Sequence, residues 1–378
     1  MAGSGAGEDV WAGEDSRPRR RRRRTARVAA VGVAAALAVT GAASAWALAA
    51  TSSSPSWHVV KRVHSGGTGD FTAVVAVGKT GGWAFNGVSK PTAWKRSGSS
   101  WTRVAFPGRS GETVVAAGAS SASNVWAFTG NGTTSRALRW NGSSWSAQRS
   151  FGAEIGGAVV LSASDVWVFG VPFVPGGGLG TWHYNGHTWA RVTSGHGLSG
   201  GSGLSATNIW AFTGAKVADW NGHTWARTSV ANLLPAKQEL NDPAVVGIVA
   251  LSRNDVFAIG SGNLEDEGGP TVILHYNGHH WRKVAQGNFG IGTSPLQEAA
   301  SDGHGGLWIP MPGFEGRPSY LVHYLGGRLT TAALPVGPRR IDVVSIDRVP
   351  GTAQLLGGGF THTLAGTGVV AVILQYGS

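Results

Sequence analysis

The sequence predicts an all-β chain, a seven-bladed β-propeller of four-stranded antiparallel blades, closed by an N-terminal outer strand that completes the C-terminal blade. Three observations predict it. A hydrophobic-aromatic signature recurs at Trp83, Trp126, Trp167, Trp210, Phe257, Trp308 and, more weakly, Leu355, at spacings of 43, 41, 43, 47, 51 and 47 residues. A second signature follows it, an aromatic residue with Asn-Gly and then Trp, as in Trp140-Asn141-Gly142 to Trp145 and Tyr184-Asn185-Gly186 to Trp189. The seventh copy stops after three strands, while Ser56-Trp57-His58-Val59-Val60 carries the outer-strand pattern Trp-x-x-Val with no blade before it. Each partial end supplies what the other lacks, and joining them removes an open sheet edge.

One copy shows how each strand is specified. Thr113-Val114-Val115-Ala116-Ala117 is small and apolar, suited to the innermost position where the sheet tapers. Ser121 to Asn124 is a polar turn, and Val125-Trp126-Ala127-Phe128 is a β-rich run covered on both faces. Ala137-Leu138-Arg139-Trp140 forms the third strand, Asn141-Gly142 a tight hairpin with positive φ angles, and Trp145 opens the outer strand. Because the Trp and Tyr positions repeat with the strands, they read as packing between neighbouring blades. The fifth and sixth copies keep the order with weaker motifs, Gly326-Gly327 replacing Asn-Gly and Leu329 the last Trp.

Composition fits this picture. Sixty Gly suit many tight turns and a crowded axis, and 13% charged residues against a usual quarter suit sheets covered on two faces. The chain has no Cys, which excludes disulfides, thiolate metal sites, lipidated Cys and Cys nucleophiles. The net charge is +11, but residues 1–50 hold eight Arg and four acids, leaving 23 basic and 16 acidic residues beyond them. Those bases are scattered through the blades, so nucleic-acid binding is not expected.

The N-terminus reads as an export segment. Arg17, Arg19 to Arg24 and Arg27 precede a charge-free run, Val28 to Ala50, and then Thr51-Ser52-Ser53-Ser54. Bases before an apolar run keep the arginines in the cytoplasm. Ala43-Ser44-Ala45 and Ala47-Leu48-Ala49 fit cleavage by a signal peptidase, while 23 uncharged residues are long enough to span a bilayer. Both secretion and anchoring by a single N-terminal transmembrane segment stay open. The expected organisation is a disordered Arg-rich region at 1–27, the signal or membrane segment at 28–50, a linker at 51–56 and the propeller at 57–378, in an extracellular or cell-surface protein.

The strand ending in Gly, then an aromatic with Trp five positions on, resembles the kelch-type propellers, including the central domain of galactose oxidase. Ser162-Ala163-Ser164-Asp165-Val166-Trp167 and Tyr184-Asn185-Gly186-His187-Thr188-Trp189 are similar to the repeats of secreted actinobacterial propellers. The chain departs from kelch in lacking a regular Gly-Gly pair after the second strand. The Cys-linked Tyr of the oxidase's copper site has no counterpart here, so that chemistry is not implied.

Connections between strands one and two, and three and four, are short. Those between strands two and three, and between blades, are long, as at 171–180, 194–203, 228–243, 261–270, 310–318, 334–340 and 357–367. Strands alternate in direction, so both long classes emerge on one face, where binding residues usually sit. That face gives the candidate ligand-binding residues Arg109, Phe173, Glu239, Asp242, Glu265, Asp266, Glu267, Phe314, Glu315, Arg317, Arg339, Arg340 and Phe360. Phe anchors beside Arg suit a protein or anionic-polymer surface.

No cofactor, metal or catalytic group is expected. Glu265-Asp266-Glu267 lacks the spacing of a calcium loop. His183, His275 and His323 follow the repeat, which holds them on separate blades, and a metal site needs convergence. The reading is an exported, non-catalytic and monomeric binding protein whose loop face takes a protein or cell-surface polysaccharide, with membrane contact only through residues 28–50. Two alternatives stand beside it. One is a glycan-active hydrolase or lyase, if Glu239, Asp242, Glu265 and Glu315 converge over the channel. The other is a structural envelope scaffold.

Overall fold

The computed structural model describes residues 55–64, 69–87, 90–171, 178–236, 242–262, 270–289, 299–311, 320–335, 339–363 and 369–377. The chain divides into two units, 1–52 and 53–378, and only the second contains described residues. The expectations for 1–27, 28–50 and most of the linker therefore lie outside them. Among the described residues no helix is long and apolar enough to cross a membrane.

Seven four-stranded antiparallel sheets make up the second unit, and the only helices described are the single 3-10 turns Thr193–Gly195 and Ala231–Leu233. In six blades the strands run in sequence order from the axis outward, as in Phe71–Val77, Gly81–Asn86, Thr92–Ser97 and Ser100–Val104 of blade one. The seventh runs Arg339–Arg348, Leu355–Thr363, Val369–Tyr376 and then Trp57–Val63. Trp57 pairs with Tyr376 and Val63 with Ala371, across a bulge between Val59 and Lys61. The first described strand thus zips onto the last. The innermost strands touch in cyclic order, which closes the ring.

The aromatic repeats hold neighbouring blades together. Trp83 of blade one lies 4.9 Å from Trp140 and 5.1 Å from Trp145 of blade two, edge-on to both. Trp126 meets Tyr184 and Trp189 in the same way, Trp167 meets Trp220 and Trp225, and Trp210 meets Tyr276 and Trp281. Each such pair adds about 0.5–1.5 kcal/mol to the gain from burial alone.

Two sequence expectations need correcting. The register places Leu356 opposite Gln375 and Leu355 opposite Tyr376, as Trp167 faces His183 and Val166 faces Tyr184. Leu356, not Leu355, therefore holds the signature position of blade seven. The Asn-Gly turn is also longer than a two-residue hairpin. The strands end at Trp140 and resume at Trp145, and Asn141 Oδ1 accepts hydrogen bonds from the N–H of Ser143 and Ser144, both at 2.9 Å. The Asn side chain closes a four-residue loop. Gly186 shows why Gly follows: its φ is +96°, and a Cβ there would lie 2.7 Å from Ser164 Cβ.

Candidate functional site

The described part of the long-loop face carries a cleft of about 390 Å³ where blades one, two and three meet. The connections 105–112, 131–134 and 152–154 surround it. Its base is an ion pair. Arg136 Nε donates to Glu112 Oε1 at 2.6 Å, and Nη2 donates to Glu112 Oε2 and to the Pro107 carbonyl at 2.9 Å. Both side chains are buried. The Arg109 N–H donates to Glu112 Oε2 at 2.9 Å, so the same carboxylate folds the 109–112 turn. Burial alone pushes the Glu112 carboxyl up, but hydrogen bonds from Arg136 and the Arg109 N–H, with both positive charges, hold it below the usual range.

The rim is built by equally local means. Asn131 Oδ1 accepts from the N–H of Thr133 and Thr134, shaping the loop between strands two and three. Ser135 Oγ accepts from the Ile155 N–H at 2.9 Å and ties blade two to blade three. Phe151 supplies an apolar wall and is held by Trp182 and Trp189. Arg109 is exposed at the edge. Glu112 offsets Arg136, so among the residues that line the cleft Arg109 is the exposed cation, with Glu154 on the neighbouring connection.

A second hollow of about 490 Å³ lies on the other side of the same connection, against Lys90, Pro91, Arg103 and Phe106. Phe106 packs on Phe85 and Trp145, so its ring belongs to the blade junction.

The channel is a third space, of about 250 Å³, lined mainly by Val, Ala and Gly of the inner strands. One acid reaches it. Asp347 Oδ2 accepts from the Ala76 N–H at 2.8 Å, across the junction of blades seven and one. Burial pushes the Asp347 carboxyl up to about 6, partly offset by hydrogen bonds from the N–H of Ala76 and Arg348 and by the Arg348 charge. The residue is half-buried at the channel wall, and desolvation is the largest influence on its carboxyl.

Of the residues expected from sequence, Arg109 lies on the cleft and Asp242 is exposed ahead of the inner strand Ala244–Ser252. Phe173, Glu239, Glu265, Asp266, Glu267, Phe314, Glu315 and Arg317 lie outside the described residues. Arg339, Arg340 and Phe360 are corrections. The first two begin the strand Arg339–Arg348 rather than sitting in a loop, and Arg340 Nε lies 3.7 Å from Asp342 Oδ1. Phe360 is half-buried within Leu355–Thr363, paired with Asp342 and Ala371, because the strands of blade seven run longer than the sequence suggested. The connection expected at 194–203 is shorter too, since Gly200 already starts a strand.

The three repeat histidines do sit on separate blades, each with an acid partner that sequence reading missed. His183 Nε2 lies 2.9 Å from Asp165, His275 2.8 Å from Asp255, and His323 2.8 Å from Asp302. Each ring also packs on its blade's signature aromatic, Trp167, Phe257 or Trp308. Burial raises Asp302, but hydrogen bonds from His323 and from the N–H of His304 and Gly306 outweigh it and hold the carboxyl below its usual range. Among the described residues no group of three or more His, Asp or Glu is placed to hold a metal ion.

No protein-family model and no curated protein matches the sequence. Solved structures share the fold. YCF48 bound to D1 peptide superposes with a TM-score of 0.53 at 13% identity, over 85% of this chain and 97% of that one. The RRP9 WD40 repeats give 0.56 at 12%, over 85% and 99%. The WD40 propeller domain of Doa1 gives 0.51 at 10%, over 84% and 96%. At these identities the likeness shows the β-propeller fold, and the kelch and actinobacterial resemblance stays a likeness of motif.

Proposed function

We propose that this chain is an exported, non-catalytic binding protein whose long-loop face takes an extended segment of a partner protein, with an acidic group of that segment against Arg109. The observation that carries the reading is the cleft. It places the exposed Arg109 guanidinium beside Phe151, which is 4% exposed, on loops shaped by the Asn131 hydrogen bonds and the buried Glu112–Arg136 pair. A preshaped site of this kind spends little ordering entropy on binding. The peptide complex of YCF48 supports a peptide ligand, since that protein has the same fold. Export rests on the arginines at 17–27 ahead of the uncharged run 28–50.

The test is selection of a displayed random-peptide library on the full chain. Acidic sequences should be enriched, and Arg109→Ala should weaken the winners about tenfold or more, the scale of one charge-assisted hydrogen bond. Arg109→Lys should recover part of that loss. Peptides without acidic bias, or equal affinity for the Ala variant, would place the site elsewhere.

A further inference from the structure

The outermost strands of the blades share a charge of one sign. They are Trp57–Val63, Ser100–Val104, Trp145–Phe151, Trp189–Arg191, Trp225–Ser229, Trp281–Gly287 and Arg328–Thr331. Every one carries Lys or Arg, and none carries Asp or Glu. Six display an exposed base: Arg62, Arg103, Arg191, Arg227, Lys283 and Arg328. The seventh has Arg149, half-buried and 4.4 Å from the Trp182 ring of the next blade. Lys61 rests on Trp94 in the corresponding way, 5.0 Å away.

Among the described residues these six bases have no carboxylate partner. Arg227 instead donates to the carbonyls of Ser194 and His196, and Lys283 Nζ donates to Gln286 Oε1 at 3.1 Å. Asp165 and Asp255, on second strands, are engaged by histidines. Among the described third strands one acid occurs, the half-buried Asp219, which pairs with Ala226 and feels the charge of Arg253. Outer strands follow one another around the ring, so the bases are distributed around the wall, with Arg103 also lining the hollow beside the cleft.

We propose that this wall is a second binding surface, which takes a linear, base-free polyanion of the phosphodiester or acidic-sugar kind along its circumference. A belt of unneutralised bases attracts such a chain through release of its counterions. The aromatic rings decide against single-stranded nucleic acid. A single strand bound without sequence preference needs exposed rings on which bases stack. On this wall Trp57, Trp101, Trp145 and Trp225 are buried, Trp189 and Trp281 are half-buried, and the large hydrophobic side chains fully exposed among the described residues are Leu204 and Leu325. The surface offers charge without stacking platforms.

The experiment titrates the full chain with inorganic polyphosphate, heparin and oligo(dT) over a range of salt. Expected are steep salt dependence, tighter binding to a base-free polymer than to oligo(dT), and a clear loss when Arg103, Arg191, Arg227 and Lys283 are all changed to Gln. With about 0.7 of a unit per contact, the log–log salt slope should become shallower by about 2 to 3, and affinity at moderate salt should fall about tenfold or more. Preference between polyphosphate and heparin assigns the anion as phosphate or acidic sugar. Near-ultraviolet circular dichroism reports whether the clasped Trp rings keep their packing. The variant with Arg103, Arg191 and Arg227 changed to Lys keeps the charge and should bind as the parent does. Unchanged binding by the Gln variant would hand the effect to the arginines of residues 17–27 and overturn the proposal. So would oligo(dT) binding more tightly than both base-free polymers, or equal loss in the Lys variant.

Discussion

The blade junctions fall into two kinds. From blade one to blade seven, each signature aromatic except Phe257 is gripped by the third- and fourth-strand aromatics of the next blade, down to Trp308 between Tyr376 at 5.0 Å and Trp57 at 5.7 Å. The junction of blades five and six is the thinnest of these, with Phe257 on Tyr324 at 5.4 Å and Leu329 as its third member. The junction that closes the ring is different. Leu356 replaces the aromatic, Arg96 stands where Trp140 or Tyr184 stands elsewhere, and only Trp101 is kept. Polar contacts fill the gap. Arg96 Nη2 donates to Gln375 Oε1 at 3.0 Å, Ser345 Oγ accepts from the Val74 N–H at 2.9 Å, and Asp347 accepts from the Ala76 N–H. An apolar seam tolerates sliding, whereas directed hydrogen bonds fix one register. The junction that joins segments about 270 residues apart in sequence has three such directed bonds where aromatic partners are missing, whereas Ser135 with Ile155 and Ser202 with Ala250 add a single bond to junctions already clasped by rings.

The strongest way to break that comparison uses one position in two blades. Trp57 and Trp101 hold the same position in the outer strands Trp57–Val63 and Ser100–Val104 and are 4% and 7% exposed. Trp57 touches Trp308 and Tyr376, while Trp101 packs among Phe71, Ala84 and Leu356. Trp57 Nε1 has no hydrogen-bond partner, so truncation there removes packing alone. Trp57→Ala should cost about 3–5 kcal/mol. Trp101→Ala should cost about 1–2 kcal/mol less, because it loses no aromatic pair. Urea unfolding followed by circular dichroism measures both. Equal losses would mean that the clasp adds nothing to burial.

The clasp was legible in the sequence because it repeats. Six aromatic signatures at similar spacing define blades without any knowledge of contacts, and Trp57 could be matched to a blade lacking its outer strand. The closing junction was not legible, because it uses residues that appear once. Leu355 and Leu356 are indistinguishable as letters, and only pairing with Tyr376 and Gln375 tells them apart. The cleft escaped for a related reason. Glu112 and Arg136 lie 24 residues apart, on a blade connection and a third strand, and no motif links them. Arg109 was found through its loop position, but its place as the exposed cation beside a buried Glu112–Arg136 pair depends on that hidden pair. Asp347 belongs to no motif in the sequence, and its place at the channel follows from the ring geometry alone.

Asp347 offers the second test, smaller and dependent on pH. Its carboxyl is pushed up to about 6, above the value of about 3.9 for an unfolded chain. The folded state therefore holds the proton more tightly. The stabilisation this gives is complete below about pH 4 and is lost as pH rises through about 6, amounting to about 2–3 kcal/mol. Asp347→Asn does not titrate, and its side-chain oxygen can still accept from the Ala76 N–H. The difference in stability between the variant and the parent should therefore move toward the variant between about pH 4 and pH 7. Urea midpoints across that range measure it. A difference that stays constant would show that the junction does not hold an uncompensated charge.

Arg96 gives the finest test, because it asks whether the closing junction could have been clasped like the rest. Its side chain is buried, desolvation lowers its pKa, and Nη1 finds no hydrogen-bond partner. Nε donates to the Gly98 carbonyl at 2.9 Å, so two of its nitrogens are satisfied and one is not. A buried, partly satisfied cation is often no better than an apolar group of similar size. Arg96→Tyr would place a ring at the register position of Tyr184 and Tyr276, against Trp101 as those rings meet Trp189 and Trp281. It would also leave Gln375 without its donor. Gain and loss are each about 1 kcal/mol, so stability should change by less than about 1 kcal/mol in either direction. A loss of several kcal/mol would show that the Arg96–Gln375 bond is what aligns blade one with blade seven, whereas near-neutrality would leave that alignment to Ser345 and Asp347 on the inner strand.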